Sequence, residues 1–128
     1  MMSIQIFESK GYVEYGPGLR CVLRIDQGIA NFYRSLIPKT IWVNGLRNPA
    51  HITIVRTGVE IPGNLSNWRV DEGKWLTYTY SNEIKLDRLY AVLPVMSEQI
   101  GDLREKLGLP RYRIGHTKYH ITIGNFKC

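Results

Sequence analysis

One tetrapeptide occurs twice in this chain and constrains its fold more than any other feature. Residues 51–54 and residues 120–123 both read HITI, 69 positions apart. The β-branched, alternating composition predicts that both segments are β-strands. Successive side chains of a strand point to opposite faces, so each strand would present His and Thr on one face and two isoleucines on the other. Both isoleucine faces therefore need an apolar layer to pack against.

Each HITI strand follows a pattern that also occurs twice. A strand-like segment comes first, at residues 19–25 and again at residues 85–94. Apolar residues at helical spacing follow, at residues 26–38 and 97–108, with Asp or Ser as the expected N-cap. A loop then leads into each HITI strand. The matched order of strand, helix, loop and strand predicts two similar units.

These units predict an α+β fold with two pseudo-symmetric lobes of antiparallel strands, each backed by a helix. Lobe one spans about residues 19–56 and lobe two about residues 85–126. A chain of this length fits one domain, so both lobes would belong to a single domain of residues 1–128. Between the lobes, the segments 74–80 and 84–93 predict a hairpin.

Packing of the lobes about a pseudo-twofold axis would bring the polar faces of both HITI strands into one cleft. That cleft would hold His51, Thr53, His120 and Thr122. Imidazole titrates near neutral pH, so one histidine can accept a proton from an attacking hydroxyl or water while the other donates a proton to the leaving oxygen. Threonine hydroxyls can bind the non-bridging oxygens, where charge builds. A lone His-x-Thr is usually a half-exposed strand without chemistry, but two copies at matched offsets favour phosphate-ester catalysis.

The doubled His-x-Thr-x motif, with an apolar last position, resembles that of the 2H phosphoesterase superfamily. The resemblance extends from about residue 19 to the end of the chain. It implies a bilobal 2H phosphoesterase-like fold, catalysis without a metal or other cofactor, and the four His and Thr residues as the catalytic set. The superfamily includes RNA 2′,3′-cyclic phosphodiesterases, 2′-5′ RNA ligase-like enzymes and 2′-5′ oligoadenylate phosphodiesterases.

The short spacing of the motifs and the tyrosine-rich segment 11–18 are similar to those of phage anti-CBASS phosphodiesterases. This similarity implies cleavage of 3′-5′ phosphodiester bonds in cyclic oligonucleotide second messengers, and hence evasion of bacterial CBASS antiviral defence. The alternatives are an RNA 2′,3′-cyclic or 2′-5′ phosphodiesterase of RNA processing and a non-catalytic module that binds nucleotides or RNA. At this stage either histidine could be the base.

Four further residues are candidates for substrate binding. Tyr12 lies beside the segment Gly16-Pro17-Gly18, which is predicted to be a mobile loop, and Trp75 precedes the predicted hairpin. Either ring could stack on a base, and burial of Trp75 is the alternative. Arg56 and Lys118 lie close to the two motifs, where each could bind a phosphate or remain a solvated charge at the end of a strand.

Composition and charge narrow the class of partner. The chain has 17 Lys and Arg against 11 Asp and Glu, a net charge of +6 and a pI near 9.5, which favours an anionic partner. Three histidines without clustered carboxylates or thiolates predict no metal site, and His116 is predicted to be an ordinary exposed histidine. The absence of a signal-like start and of a long apolar stretch predicts a soluble, cytoplasmic protein without a membrane partner.

Overall fold

The computed structural model describes residues 3–127, which form seven β-strands, two α-helices and one short 3₁₀ helix. The strands are β1 (Ile6–Gly16), β2 (Arg20–Arg24), β3 (His51–Val55), β4 (Trp75–Ser81), β5 (Lys85–Leu86), β6 (Tyr90–Met96) and β7 (Tyr119–Asn125). The helices are α1 (Gln27–Ser35) and α2 (Glu98–Lys106), and the 3₁₀ helix spans Leu65–Asn67.

All seven strands belong to one antiparallel sheet, in the order β4-β1-β2-β3-β7-β6-β5. β4 also pairs with β6, with Thr79 opposite Met96 and Tyr80 opposite Val95. Six strands therefore close into a barrel, and β5 adds a short seventh strand along β6. The fold is mostly β, since the two helices have nine residues each.

The predicted α+β fold, bilobal and 2H phosphoesterase-like with two pseudo-symmetric lobes, is wrong. Strands of the two predicted lobes are joined directly, because β3 pairs with β7. The strand β1 precedes both predicted lobes, and it pairs with β2 on one side and with β4 on the other. The β4–β6 pairing then closes the sheet. Backbone hydrogen bonds thus run through both halves and leave no boundary between two lobes.

The helices and the HITI strands of both repeats nevertheless form where the sequence predicts them. Asp26 caps α1 by accepting a hydrogen bond from the backbone N–H of Gly28, and Ser97 caps α2 by accepting one from Ile100. Beyond α2, Gly108 adopts a φ of 79°, the left-handed conformation that ends many helices. The predicted helices and HITI strands are therefore confirmed, although their arrangement in the sheet is not.

The predicted hairpin between residues 74–80 and 84–93 is wrong in its pairing. The second segment is interrupted by a turn in which the Asp87 carboxylate accepts hydrogen bonds from the backbone N–H groups of Leu89 and Tyr90. That turn joins β5 to β6, so the tight hairpin lies there. β4 instead pairs along its whole length with β1.

The sheet has one apolar face and one polar face. Both helices contribute to a core that covers the apolar face, with Tyr33 of α1 and Ile100 of α2 buried. The apolar face includes Val13, Leu23, Ile52, Ile54, Leu76, Tyr78, Leu93, Val95, Ile121 and Ile123, all at most 4% exposed. The alternation of buried and accessible residues along the strands leaves the other face free of this core.

Neither helix of residues 3–127 is long and apolar enough to span a membrane.

Candidate active site on the polar face of the sheet

The two HITI segments lie on neighbouring strands, with equivalent residues opposite each other. Ile52 of β3 faces Ile121 of β7 in the antiparallel register. Residues directly opposite in such a pair share a face, so both isoleucines point into the core. Their neighbours along the strands point the other way. The register therefore sets Thr53 beside His120 and His51 beside Thr122 on the polar face.

His51 is held by a backbone carbonyl. Its Nδ1 lies 2.9 Å from the carbonyl oxygen of Pro49. A carbonyl oxygen can only accept a hydrogen bond, so Nδ1 carries a proton and Nε2 is the nitrogen that can accept one. Arg24 donates to the same carbonyl at 3.3 Å and forms an ion pair with Glu14 at 2.5 Å. Desolvation lowers the pKa of His51, the Pro49 carbonyl opposes this, and the charges of Arg20 and Arg24 lower it further.

His120 is more accessible than His51 and lies at the edge of a cavity. Desolvation is the largest cause that lowers its pKa, followed by the positive charges of Arg56, His116 and His51. His51 is among these causes, so the two imidazoles are near enough to interact electrostatically. Both pKa values lie below the usual value of 6.5, so both rings favour the neutral form near pH 7.

A small cavity of about 50 Å³ adjoins His120 and Thr53. A single water molecule needs roughly 10–15 Å³ of cavity volume. The cavity therefore has room for a group of a few heavy atoms, such as a phosphate. Its remaining lining is largely charged or polar and comprises Ile54, Arg56, Glu60, Arg104, Arg113, His116, Lys118 and Tyr119. Four cationic side chains against one carboxylate make this a positively charged site.

Two of the predicted substrate-binding residues, Arg56 and Lys118, line this cavity beside His120 and Thr53. The structure thus brings together the threonine of the first motif, the histidine of the second motif and both predicted cations. His51 and Thr122 do not line this cavity, although the β3–β7 register places them next to Thr53 and His120 on the same face.

The other two predicted residues, Tyr12 and Trp75, form a pair further along the same face. Tyr12 lies opposite both Trp75 and Arg24, and Arg24 lies opposite His51, so one row crosses four strands. The rings of Tyr12 and Trp75 meet edge to face at 5.5 Å and are 42% and 58% exposed. Tyr12 lies in the middle of β1, and the segment Gly16-Pro17-Gly18 that it was predicted to flank forms the end of β1 and the turn after it.

Sequence reasoning missed three residues near this site. Arg24 and Arg113 were not singled out, and His116, which is exposed as predicted, was not expected to line a cavity. The structure places Arg113 and His116 in the cavity wall and Arg24 beside His51. The sequence signal for Arg113 and His116 is the basic segment RYRIGHTK, residues 111–118, which lies just before the second motif.

The described residues contain no group of three or more His, Cys, Asp or Glu side chains arranged to hold a metal ion. The expectation that no metal or cofactor is needed stays a prediction. Comparisons with protein-family models, with curated proteins and with solved structures found no match to this chain.

Proposed function

We propose that this protein is a metal-independent phosphodiesterase that acts on a nucleotide substrate. The observation that carries the proposal is the pairing of β3 with β7 at Ile52 and Ile121, which sets two identical His-x-Thr pairs side by side on one polar face. The fold adds no support for the resemblance to the 2H phosphoesterases, because the predicted bilobal architecture is wrong. The proposal rests on the motifs, their register and the cationic cavity beside them.

In the proposed reaction, His51 is the general base and His120 the general acid. The protonated Nδ1 of His51 donates to Pro49, which leaves Nε2 to accept the proton of an attacking ribose 2′-hydroxyl or water. As the new P–O bond forms, the bond from phosphorus to the leaving oxygen breaks. His120 protonates that oxygen. Attack by a 2′-hydroxyl yields a 2′,3′-cyclic phosphate and a free 5′-hydroxyl.

The surrounding side chains would stabilise charge rather than transfer protons. Thr53 and Thr122 can donate hydrogen bonds to the non-bridging oxygens, which become more negative in the transition state. Arg56 and Lys118 can bind the same phosphate electrostatically from the cavity side. A bound phosphate anion also offsets the cations that lower the pKa of His120, so it favours the protonated acid at the step where a proton is needed.

For the substrate, we propose the 3′-5′ phosphodiester bonds of cyclic oligonucleotide second messengers, and for the biological role, evasion of bacterial CBASS antiviral defence. The support is the similarity of the motif spacing and of segment 11–18, together with an exposed aromatic pair in line with His51. RNA with 2′,3′-cyclic ends and 2′-5′ linkages are the alternative substrates.

A turnover assay of the whole chain tests this proposal. Cyclic di- and trinucleotides, 2′-5′ oligoadenylate and RNA with 2′,3′-cyclic ends would each be incubated with the protein in EDTA, and the products identified by mass spectrometry. We expect a cyclic oligonucleotide to be linearised, with EDTA having no effect. Binding without turnover of any substrate would identify a non-catalytic module instead. Activity abolished by EDTA and restored by a divalent ion would contradict the two-histidine mechanism.

A further inference from the structure

A single peptide unit next to His51 is held at both of its polar groups. The peptide bond between Pro49 and Ala50 carries the carbonyl oxygen that His51 contacts through Nδ1. The N–H group of the same unit, on Ala50, donates a hydrogen bond of 2.8 Å to Oε1 of Gln27, the first residue of α1. Because a peptide unit is planar, holding its N–H group and its carbonyl together fixes the direction in which the carbonyl points.

Arg24 holds the carbonyl side of this unit. Its guanidinium donates to the carbonyl oxygen of Pro49 at 3.3 Å, in addition to the contact from His51. A carbonyl oxygen has two lone pairs, so it can accept both hydrogen bonds at once. The guanidinium is itself held by Glu14, with nitrogen–oxygen distances of 2.5 and 3.4 Å, and the Arg24 side chain is only 15% exposed. Arg24 is therefore fixed beside the carbonyl that contacts His51.

The segment between β2 and α1 thus orders the end of the long loop that leads into the first HITI strand. Residues 36–50 connect α1 to β3. The last two residues of this loop contact residues 24–27 in three places, through the side chains of Arg24 and Gln27 and through the backbone. The backbone contact is a hydrogen bond of 3.3 Å from the N–H of Ile25 to the carbonyl of Ala50. The entry into β3 is therefore set by residues that precede the loop.

From this arrangement we infer that Gln27 and Arg24 are positioning residues for His51. They hold the preceding peptide unit so that the ring keeps its proton on Nδ1 and presents Nε2 to the reacting hydroxyl. The inference rests on the proposed function for the reaction that His51 performs. In a neutral imidazole either nitrogen can carry the proton, and the hydrogen bond made by one nitrogen decides between the two tautomers. A fixed acceptor at Nδ1 therefore raises the fraction of His51 that can act as base.

Charge alone does not account for the position of Arg24. Desolvation is the largest cause that lowers the pKa of His51, and Arg24 lowers it further while Glu14 raises it. The ion pair thus brings two opposite charges to the same ring. We therefore assign Arg24 a geometric role, exerted through its hydrogen bond to the Pro49 carbonyl.

The tautomer of His51 tests the inference without any turnover. The imidazole nitrogens of the whole chain would be isotope-labelled, and NMR at a pH where the ring is neutral would measure the ratio of the two tautomers. We expect the Nδ1–H form to dominate in the wild type. Gln27→Ala and Arg24→Met should each lower its ratio to the Nε2–H form about fivefold, the effect of losing roughly one hydrogen bond. Gln27→Glu, which keeps an oxygen acceptor for the N–H of Ala50, should restore the ratio.

Gln99→Ala is the matched control. Gln99 lies in the first turn of α2, as Gln27 does in α1, and both side chains are exposed. Its Oε1 also accepts a hydrogen bond from the backbone of a neighbouring strand, from the N–H of Thr77 at 2.6 Å. The variant removes the same kind of contact from another part of the sheet, so the tautomer ratio of His51 should stay at the wild-type value.

Kinetics separate positioning from substrate binding. Gln27→Ala and Arg24→Met should each lower kcat about fivefold while KM stays within about twofold, and Gln27→Glu should restore kcat. A raised KM with unchanged kcat in Arg24→Met would make Arg24 a substrate-binding residue and overturn its positioning role. A wild-type tautomer ratio in both variants would overturn the inference even if the enzyme turns over. A changed ratio with no turnover of any substrate would contradict the proposed phosphodiesterase function and leave the positioning of His51 standing.

Discussion

The two histidines of the candidate site are held differently, which makes their roles separable. The Nδ1–H of His51 is bound by Pro49, whereas His120 lies at the cavity edge, under the influence of Arg56 and His116. His51→Ala and His120→Ala should each lower kcat by roughly 10²–10⁴-fold, the contribution of one positioned acid or base. Circular dichroism melting should show nearly unchanged stability, since neither imidazole lies in the core.

The pH dependence of kcat/KM should identify the base. The wild-type profile should be bell-shaped. Its acidic limb should reflect protonation of the base and its alkaline limb deprotonation of the acid. The pKa values of His51 and His120 both lie below 6.5, so the optimum should lie on the acidic side of that value. The residual activity of His51→Ala should lose the acidic limb and that of His120→Ala the alkaline limb. The reverse assignment of limbs would exchange the two roles, and an unchanged bell in both variants would contradict them.

The aromatic pair of Tyr12 and Trp75 on the polar face is expected to contribute to substrate binding. Stacking of one base on an aromatic ring contributes roughly 1–3 kcal/mol, so Tyr12→Ala or Trp75→Ala should raise KM by about 5- to 150-fold, with a smaller change in kcat. Isothermal titration with a non-cleavable substrate analogue would measure the loss. Trp42, which is 80% exposed and away from the row that contains His51, provides the control Trp42→Ala. An equal loss in all three variants would argue against a base-binding role.

Between elements, the buried pair of Arg104 and Glu60 connects α2 to β3, to the loop that follows β3 and to the loop that precedes β7. Arg104→Met leaves a nearly buried carboxylate unpaired and removes hydrogen bonds to Ile54 and Pro110, so it should cost about 3–5 kcal/mol of unfolding free energy. Urea denaturation would measure the loss. Lys106→Met, on the same helix but in an exposed ion pair, should cost less than about 1 kcal/mol.

The same pair should make the stability of the protein depend on acid pH. The pKa of Glu60 is lowered in the folded state chiefly by its hydrogen bonds to Arg104, from an ordinary value of 4.5. The unfolded chain therefore binds the proton first as the pH falls. The stabilisation is complete above pH 4.5 and is lost as the pH drops through the lower, folded value. Glu60→Gln, followed by urea denaturation from pH 7 to pH 3, should flatten this slope, and an unaltered slope would assign it to other carboxylates.

Local sequence patterns predicted the two helices and the HITI strands because the interactions that form these elements are local. Asp26 and Ser97 cap their helices with their own side chains, and the alternation of His, Ile and Thr alone sets the two faces of the HITI strands. β1 was not predicted because polar residues such as Glu8 and Lys10 obscure its alternation. Its pairing with β4, unlike its hairpin with β2, joins residues far apart in the sequence. The position of His116 in the cavity wall was missed, because it depends on how the loop between α2 and β7 folds.

At the scale of the whole molecule, the sequence repeat suggested two lobes, and the strand pairing merges them. The closing contacts are few. In one seam Tyr80 lies opposite Val95, and in the other Ile52 lies opposite Ile121, which is far away in the sequence. No local pattern specifies which strands meet there. The repeated sequence therefore predicts the local unit of strand, helix, loop and strand. Whether the two units stay separate depends on how their apolar faces pack together.

A closed sheet should unfold as one cooperative unit. In native-state hydrogen exchange at increasing denaturant, the amides of Leu23 in β2 and Leu93 in β6 should converge on the same free energy, since their strands belong to one barrel. Val95→Ala, at the fully buried β4–β6 seam, should lower both values equally, by roughly 1.5–3 kcal/mol. Ile61→Ala, at a site that is 80% exposed, should change neither. If Val95→Ala lowered the value for Leu93 alone, the two halves would unfold separately and the pairing between them would contribute little to stability.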